Sequence, residues 1–170
     1  DLVRSRGLGD VYKRQSLQVR FGFVDKHVLD LFAGSGALGL EAASRGAAEV
    51  VLVENNPEAV RIIEFNAGVV GHPNTVVEPV KASTYLARAP RNHFDMVLAD
   101  PPYELADEAV AEMVEALKPA LRDGAVVVVE RHRESPETAW PEEFTPTGQK
   151  LKKRLYGIAA VSYTHLTLPT

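Results

Sequence analysis

Four consecutive residues, Asp100-Pro101-Pro102-Tyr103, have the types and the order that chemistry on an amine requires. The two prolines fix φ near about −65° and remove two N–H donors, so the carbonyl oxygens of Asp100 and Pro101 face outward as acceptors. With the Asp100 carboxylate they can accept both protons of an exocyclic amine, while the ring of Tyr103 stacks on a planar base. The amine nitrogen could then attack an electrophilic methyl group on a sulfonium, helped mainly by positioning and local electrostatics. The simpler alternative is a Pro-Pro turn after a strand with an incidental carboxylate.

A glycine-rich segment at 34–39, with the sequence GSGALG, follows an apolar run at 28–32 that contains one acid, Asp30. This order predicts a buried strand, a tight turn and a helix N-terminus, which together cradle a ligand with a nucleoside or an anionic group. Glu54 closes the next apolar run, where its carboxylate can accept hydrogen bonds from both ribose hydroxyls. The alternatives are a tight turn without a ligand and a solvated or helix-capping glutamate.

Two classes of nucleoside ligand fit this cradle. The literal G-x-G-x-x-G spacing followed by an acid is the dinucleotide fingerprint, which would indicate an NAD-dependent oxidoreductase. Asp30 argues against that class, because a carboxylate inside a buried strand is costly unless it is paired, and a cationic amino-acid ligand would supply the partner. The DPPY motif at 100–103 has no role in hydride transfer. In the loop at 81–83, where an adenine usually lies, Ala82 is a candidate backbone contact.

Apolar runs that alternate with helical patterns must position these residues. We predict strands at 28–32, 50–54, 76–80, 94–99, 125–129 and 152–161. We predict helices at 38–45 and 106–117, a helix that starts at Asn56-Pro57-Glu58, a helical turn at 84–88 and a long loop at 131–148. Strands that alternate with helices predict a parallel, doubly wound α/β sheet with helices on both faces.

The composition is that of one soluble domain. The chain has 170 residues, of which 45% are hydrophobic, a net charge of −4 and no cysteine, which excludes a disulfide framework and thiolate chemistry. No apolar run approaches the roughly 18 residues that a membrane span needs, so we expect a cytoplasmic protein without membrane contact. The histidines show no ligand-like spacing, so no metal site is predicted. The acidic balance argues against a general electrostatic grip on nucleic acid.

One domain is predicted at 16–161. Residues 1–15 and 162–170 are interpreted as non-native tails, because they resemble translated sequencing-adaptor sequence and the second cuts across a predicted strand. Two basic groups, at 131–133 after the fifth strand and at 150–154 at the opening of the last one, interrupt the acidic chain. Either group could contact RNA phosphates. The alternatives are a solvated loop at 131–133 and a charge cluster that protects a sheet edge at 150–154.

Together these motifs carry a resemblance to a known family. The pattern D-x-F-x-G-x-G at 30–36, followed by D-P-P-Y at 100–103, resembles that of class I S-adenosylmethionine-dependent amino-methyltransferases. The longer segments at 29–43 (LDLFAGSGALGLEAA), 44–47 (SRGA) and 153–157 (KRLYG) look like the RsmD family. Members of that family methylate the N2 amine of a guanine in 16S ribosomal RNA. The resemblance covers about residues 26–161.

The resemblance implies a Rossmann-like, mostly parallel seven-stranded sheet with an antiparallel C-terminal hairpin. It also implies S-adenosylmethionine as the methyl donor and 16S rRNA, in the small ribosomal subunit or its assembly intermediate, as the partner of a chain that we expect to be a monomer. The catalytic motif would be Asp100, Pro101, Pro102 and Tyr103. The candidate cofactor-binding residues are Asp30, Phe32, Ala33, Gly34, Ser35, Gly36, Glu54, Asn55 and Ala82.

Three other functions stay open at this point. DNA adenine-N6 and protein glutamine-N5 methylases use a related motif, which normally begins with Asn where this chain has Asp100. An NAD-dependent oxidoreductase would use the glycine fingerprint. A non-catalytic nucleotide-binding module would use the cradle without the DPPY motif.

Overall fold

The computed structural model describes residues 22–132, 138–146 and 159–166. The strands are His27–Leu31 (β1), Glu49–Val53 (β2), Thr75–Glu78 (β3), Phe94–Ala99 (β4), Leu121–His132 (β5), Phe144–Pro146 (β6) and Ala159–Leu166 (β7). They form one sheet in the order β3-β2-β1-β4-β5-β7-β6. The first five strands are parallel, and β7 runs antiparallel to both β5 and β6. The predicted seven-stranded sheet with an antiparallel C-terminal hairpin is confirmed.

Helices cover both faces of the sheet, as the alternation predicts. Within the described residues they are Ala37–Ser44 (α1), Pro57–Val70 (α2), Ala82–Leu86 (α3) and Asp107–Leu117 (α4), and a 3-10 turn at Lys118–Ala120 follows. Alternate strand residues face two separate cores. Val28 packs on one face with Leu40 of α1 and Ile63 of α2. Leu29 packs on the opposite face with Val114 of α4.

The start of α2 follows from its sequence. Asn56 is the N-cap, and its side-chain oxygen accepts hydrogen bonds from the backbone N–H groups of Glu58 (3.0 Å) and Ala59 (3.2 Å). Pro57 takes the first helical position, where a missing N–H costs nothing. The predicted helix start is confirmed, and it fixes the loop that follows β2. None of the helices in the described part of the chain is both long and apolar enough to span a membrane.

Strand β5 is longer than predicted, because a bulge absorbs the residues that break the apolar pattern. Phe94 pairs with Leu121, but Met96 pairs with Val126, so the register shifts between these two positions. Gly124 lies inside the extra residues with φ 80°, a conformation that favours glycine. The sequence-based strand at 125–129 is therefore only the regular part of β5.

The C-terminal hairpin differs more from the prediction. The expected loop at 131–148 contains the end of β5 and the three-residue strand β6. The predicted last strand at 152–161 overlaps β7 only at 159–161, and residues 152–158 lie outside the described part of the chain. β7 continues to Leu166 because residues 162–166 pair with the valines at 126–129 of β5 and with β6, so the predicted end of the strand at residue 161 is wrong.

Candidate active site

A cavity of about 1020 Å³ opens where β1, β2, β3 and β4 end. It is lined by residues that follow these strands and by residues of α3 and α4, including Leu86 and Met113. Carboxyl ends of parallel strands are where ligands bind in doubly wound folds. The cavity is large enough and apolar enough to bury most of a nucleoside-sized ligand.

The cavity brings together about half of the residues predicted for the site. Its lining includes Phe32, Glu54, Asn55, Ala82, Asp100 and Pro102. The other predicted residues lie next to it or beneath it, outside the lining: Asp30, Ala33, Gly34, Ser35, Gly36, Pro101 and Tyr103. Glu54, the predicted ribose-binding acid after β2, and Asp100, the predicted catalytic acid after β4, therefore line the same cavity.

The carboxylate of Glu54 is held by three backbone N–H groups. Its Oε1 accepts a hydrogen bond from Gly34 (2.7 Å), and its Oε2 accepts from Asn55 and Asn56 (both 2.8 Å). The side chain therefore ties the glycine turn after β1 to the start of α2. A carboxylate has about four lone-pair positions, so these bonds leave one for a ligand hydroxyl. A bidentate bond to both ribose hydroxyls would require one backbone bond to be exchanged.

The glycine turn is compact because several residues adopt positive φ. Gly34 has φ 59° and Gly36 has φ 79°, and the N–H of Gly36 donates to the carbonyl of Ala33 at 2.8 Å. A Cβ on Gly36 would lie 3.0 Å from Ile63 of α2, so a larger residue would push the turn from the helix. Phe32, which lines the cavity, also has a positive φ of 59°. For a bulky residue this conformation is strained, and such strain clusters at functional sites.

Asp30 has a partner that the sequence-based argument did not foresee. It is only 3% exposed, and its Oδ2 accepts a hydrogen bond from the backbone N–H of Gly39 at 3.1 Å. Gly39 lies in the first turn of α1, whose N–H groups lack partners inside the helix and carry a partial positive charge. The N-cap residue of α1, Gly36, has no side chain that could bind them. Asp30 thus caps α1 from the neighbouring strand, and a cationic ligand is not its only possible partner.

Gly39 lets α1 approach the sheet closely. A Cβ at this position would lie 2.3 Å from Cδ2 of Leu52 and 3.1 Å from Oδ2 of Asp30. The first distance is shorter than real Cβ contacts and the second is tight, so any larger residue here would force Leu52 or α1 to shift. The third glycine of the G-x-G-x-x-G motif therefore serves helix–sheet contact and the capping bond of Asp30.

The DPPY motif forms the loop between β4 and α4. Asp100 is exposed and Pro101 is buried, and the ring of Tyr103 is 71% exposed, so a flat ligand can reach it. The carbonyl of Pro102 accepts a hydrogen bond from the N–H of Leu105 at 3.0 Å, which closes the loop before the helix. The motif presents a carboxylate and an aromatic ring at the same edge of the sheet.

Arg131 holds the far end of this loop. The guanidinium lies 2.5 Å from a carboxylate oxygen of Asp107 and donates to the carbonyl of Leu105 at 3.4 Å. Arg131 is only 8% exposed and lies within β5, not in a loop after it. Arg131 is therefore not available to RNA phosphates, which was one of the alternatives left open for the 131–133 group. Arg133 and the second basic group at 150–154 lie outside the described residues.

Apart from Ala82, sequence reasoning missed the wall of the cavity that α3 and α4 supply. This wall includes Leu86 of α3 and Ala109, Glu112 and Met113 of α4. The helical spacing of the apolar residues identifies α4 but does not tell a core face from a cavity wall. Only the separation between α3 and α4 decides this, and it depends on packing between distant segments.

Comparison with known proteins supports a specific family. A family model described as "Conserved hypothetical protein 95" matches residues 14–165. The chain is 34% identical over 140 residues to the ribosomal RNA small subunit methyltransferase D of Haemophilus influenzae, which covers 79% of this chain and 68% of that protein. The solved structure of a conserved hypothetical protein from Streptococcus pyogenes is similar, with a TM-score of 0.77 and 31% identity, over 90% of this chain and 94% of that one. The Escherichia coli protein yhhF superposes with a TM-score of 0.77 and 28% identity, over 92% of this chain and 86% of that one.

Proposed function

This chain belongs to the RsmD family, and from that premise we propose that it transfers a methyl group from S-adenosylmethionine to the N2 amine of a guanine in 16S ribosomal RNA. One observation carries the proposal: a single cavity is lined by both Glu54 and Asp100. The first is suited to a ribose and the second to an amine. In this proposal a nucleoside-bearing methyl donor and an amine acceptor would occupy the same cavity, as methyl transfer from one to the other requires.

The residues around the cavity fit S-adenosylmethionine. Glu54 offers a carboxylate fixed by three N–H groups, Phe32 and Ala82 offer apolar surface, and the cavity of about 1020 Å³ is large enough. When bound, S-adenosylmethionine supplies a sulfonium methyl group as the electrophile. The backbone of the turn at 33–36 would contact the ligand directly, because glycines have no Cβ and allow close approach.

The chain's own residues would position and polarise the acceptor. The Asp100 carboxylate and the Pro101 carbonyl accept hydrogen bonds from the two N–H groups of the amine, which keeps the nitrogen lone pair directed at the methyl group, and the Asp100 carboxylate can take the one proton that the nitrogen loses on methylation. Tyr103 stacks on the base, which it can reach because its ring is exposed. Catalysis of this kind rests on orientation and electrostatics, so no covalent intermediate with the protein is needed.

The proposed substrate is 16S rRNA within the small subunit or an assembly intermediate. The chain carries a net charge of −4, which disfavours binding to naked RNA by charge alone. Arg131, the one residue of the 131–133 group whose side chain is described, is buried and paired. Recognition of an assembled surface fits these features better than recognition of free RNA, and the proposal takes the protein as a monomer in the cytoplasm.

The test is transfer of a labelled methyl group to small ribosomal subunits that lack the modification. We expect Asp100→Ala to lower the rate by about 10²–10³-fold while the affinity for S-adenosylmethionine stays within about threefold, because the change removes an acceptor of the amine protons. The matched control is Glu104→Gln, an exposed carboxylate in the same loop, which should retain full activity. Full activity of Asp100→Ala would contradict the mechanism. Stabilisation of the chain by NAD and not by S-adenosylmethionine would contradict the function itself.

A further inference from the structure

Three potential metal ligands converge at the end of the sheet opposite the cavity. His27 begins β1, Glu49 begins β2 and His93 directly precedes β4. The imidazole Nδ1 of His27 lies 3.4 Å from Nε2 of His93, and that Nε2 lies 2.8 Å from Oε1 of Glu49. All three ligand atoms lie within 4.8 Å of one another. Among the described residues, these three are the group of histidines and carboxylates whose ligand atoms lie close enough together to share a metal ion.

The backbone holds these side chains in place. His27 pairs with Glu49 in the parallel register of β1 and β2, so the two side chains are neighbours. The N–H of His27 donates to Oδ2 of Asp95 at 2.8 Å, and the N–H of His93 donates to the carbonyl of Ala120 at 2.9 Å. The ring of His93 is also packed edge-on against Phe94 at 4.9 Å between centroids. The three ligands are therefore positioned by the sheet as well as by their contacts with one another.

Two of the three distances between ligand atoms lie within about half an ångström of those in a tetrahedral zinc site, and the third pair, His27 and Glu49, lies within 4.8 Å and would close on binding. Ligand atoms about 2.0–2.1 Å from Zn²⁺ lie about 3.3–3.4 Å from each other in that geometry. The two imidazole nitrogens are already 3.4 Å apart. The contact between His93 and Glu49, at 2.8 Å, would have to widen by about half an ångström, which a change in the glutamate rotamer provides. The exposed fractions of His93 (25%) and Glu49 (28%) leave the group accessible to an ion.

We propose that His27, Glu49 and His93 bind one divalent transition-metal ion, Zn²⁺ by ligand type, with water in the fourth position. Two imidazoles and one carboxylate are a ligand set that zinc takes, whereas Mg²⁺ and Ca²⁺ prefer oxygen alone. The Asp95 carboxylate nearby adds negative charge, although Arg122 at 3.3 Å offsets part of it. The competing explanation is a hydrogen-bonded His–His–Glu chain without an ion.

The proposed ion would stabilise the fold and not the chemistry. It would join β1, β2 and the segment before β4 at their amino ends, whereas Glu54 and Asp100 follow the carboxyl ends of β2 and β4. Zinc should therefore raise the melting temperature and leave the affinity for S-adenosylmethionine unchanged. The result is independent of the proposed function, because it does not use the cavity.

The test begins with the full chain, dialysed against a chelator and then titrated with Zn²⁺. At a free concentration about 100 times the dissociation constant, we expect the melting temperature to rise by about 5–10 °C, for a chain of this size. Titration with Co²⁺ should give one equivalent per chain and the visible absorption of a four-coordinate ion. Both signals should be lost, with at least about 100-fold weaker binding, in His93→Gln and in Glu49→Gln, because each removes a ligand.

Matched controls separate this site from other ligands of the chain. His72→Gln and Glu64→Gln make the same two changes elsewhere. The ring of His72 already contacts the carbonyl of Ala47 at 2.8 Å, and Glu64 is exposed on α2. Both controls should keep the zinc-dependent shift. Zinc binding that persists in His93→Gln and in Glu49→Gln, or a wild-type chain that binds no zinc, would overturn the proposal.

Discussion

The two ends of the parallel sheet hold their polar side chains in different ways. At the carboxyl ends, Glu54 and Asp30 accept hydrogen bonds from backbone N–H groups of the glycine turn and of helix starts. At the amino ends, His27, Glu49 and His93 contact one another through their side chains. A backbone donor keeps its place while the fold is intact, even where one of its hydrogen bonds is exchanged for a ligand hydroxyl, whereas a side-chain partner can turn away and be replaced by an ion. The first arrangement suits a preformed cradle and the second suits a reversible site.

The two sites also differ in how easily they can be recognised from the sequence. The cradle residues stand in contiguous motifs, because one turn supplies the whole ligand-facing loop. The amino-end residues lie at 27, 49 and 93, in three separate segments that only the sheet brings together. The predictions below test each end, beginning with the largest expected effect.

Glu54→Gln should break the cradle at the carboxyl end. The amide retains one acceptor oxygen and places an NH₂ group against the N–H of Gly34 or of the 55–56 segment, so at least one backbone donor loses its partner. The variant also weakens the proposed hydrogen bond from a ribose hydroxyl to the charged carboxylate. A hydrogen bond to a charged group is worth about 1.5–3 kcal/mol, so we expect S-adenosylmethionine to bind about 10–100-fold more weakly. Isothermal titration measures this. Glu58→Gln, the same change at an exposed position four residues later, should bind normally. Unchanged affinity in Glu54→Gln would remove Glu54 from the proposed site.

Gly39→Ala should destabilise the same end through packing. The new methyl group would meet Leu52 at 2.3 Å and crowd the carboxylate of Asp30, so the buried Leu52 side chain or α1 itself has to shift. Overpacking of this kind costs about 1–3 kcal/mol in the free energy of unfolding, which urea titration measures. The control is Gly68→Ala in α2, where no atom lies within 4 Å of the added Cβ. That change should stabilise the chain by about 0.5–1 kcal/mol, because alanine is the better helix former. Equal effects in the two variants would show that α1 is not closely packed.

The pKa of Tyr85 reports on the charge of Glu49 at the amino end of the sheet. Burial, followed by the charges of Glu78 and Glu49, raises the pKa of Tyr85 to about 12. Because the unfolded phenol ionises near pH 10, its contribution to stability is present below pH 10 and is lost as the pH rises towards 12. Tyr85→Phe should therefore flatten the loss of melting temperature between pH 10 and pH 12. Glu49→Gln should lower the pKa of Tyr85, as ultraviolet titration would detect. If the alkaline loss is the same in wild type and Tyr85→Phe, the shift is absent.

Local chemistry in the sequence predicts most of the fold and the positions of the motifs. The start of α2 at Asn56 is confirmed because capping depends on neighbouring residues alone. The partner of Asp30 was missed because Gly39 reaches it only after α1 packs on β1. The strand β6 was missed because three residues carry no periodicity, and they form a strand only when β7 pairs with them. The proposed zinc ligands had one available signal: they stand at or just before the first residues of three neighbouring strands.

The strand order has a consequence for synthesis of the chain. β7 lies between β5 and β6, so the edge of β5 stays open until residues 159–166 have been made. That edge carries the four consecutive valines at 126–129, which is an uncharged segment of high β-propensity. An open edge of this kind is a template for pairing with another chain. A version that ended before β7 would therefore be prone to aggregate through β5, even with the whole cradle and the DPPY motif present.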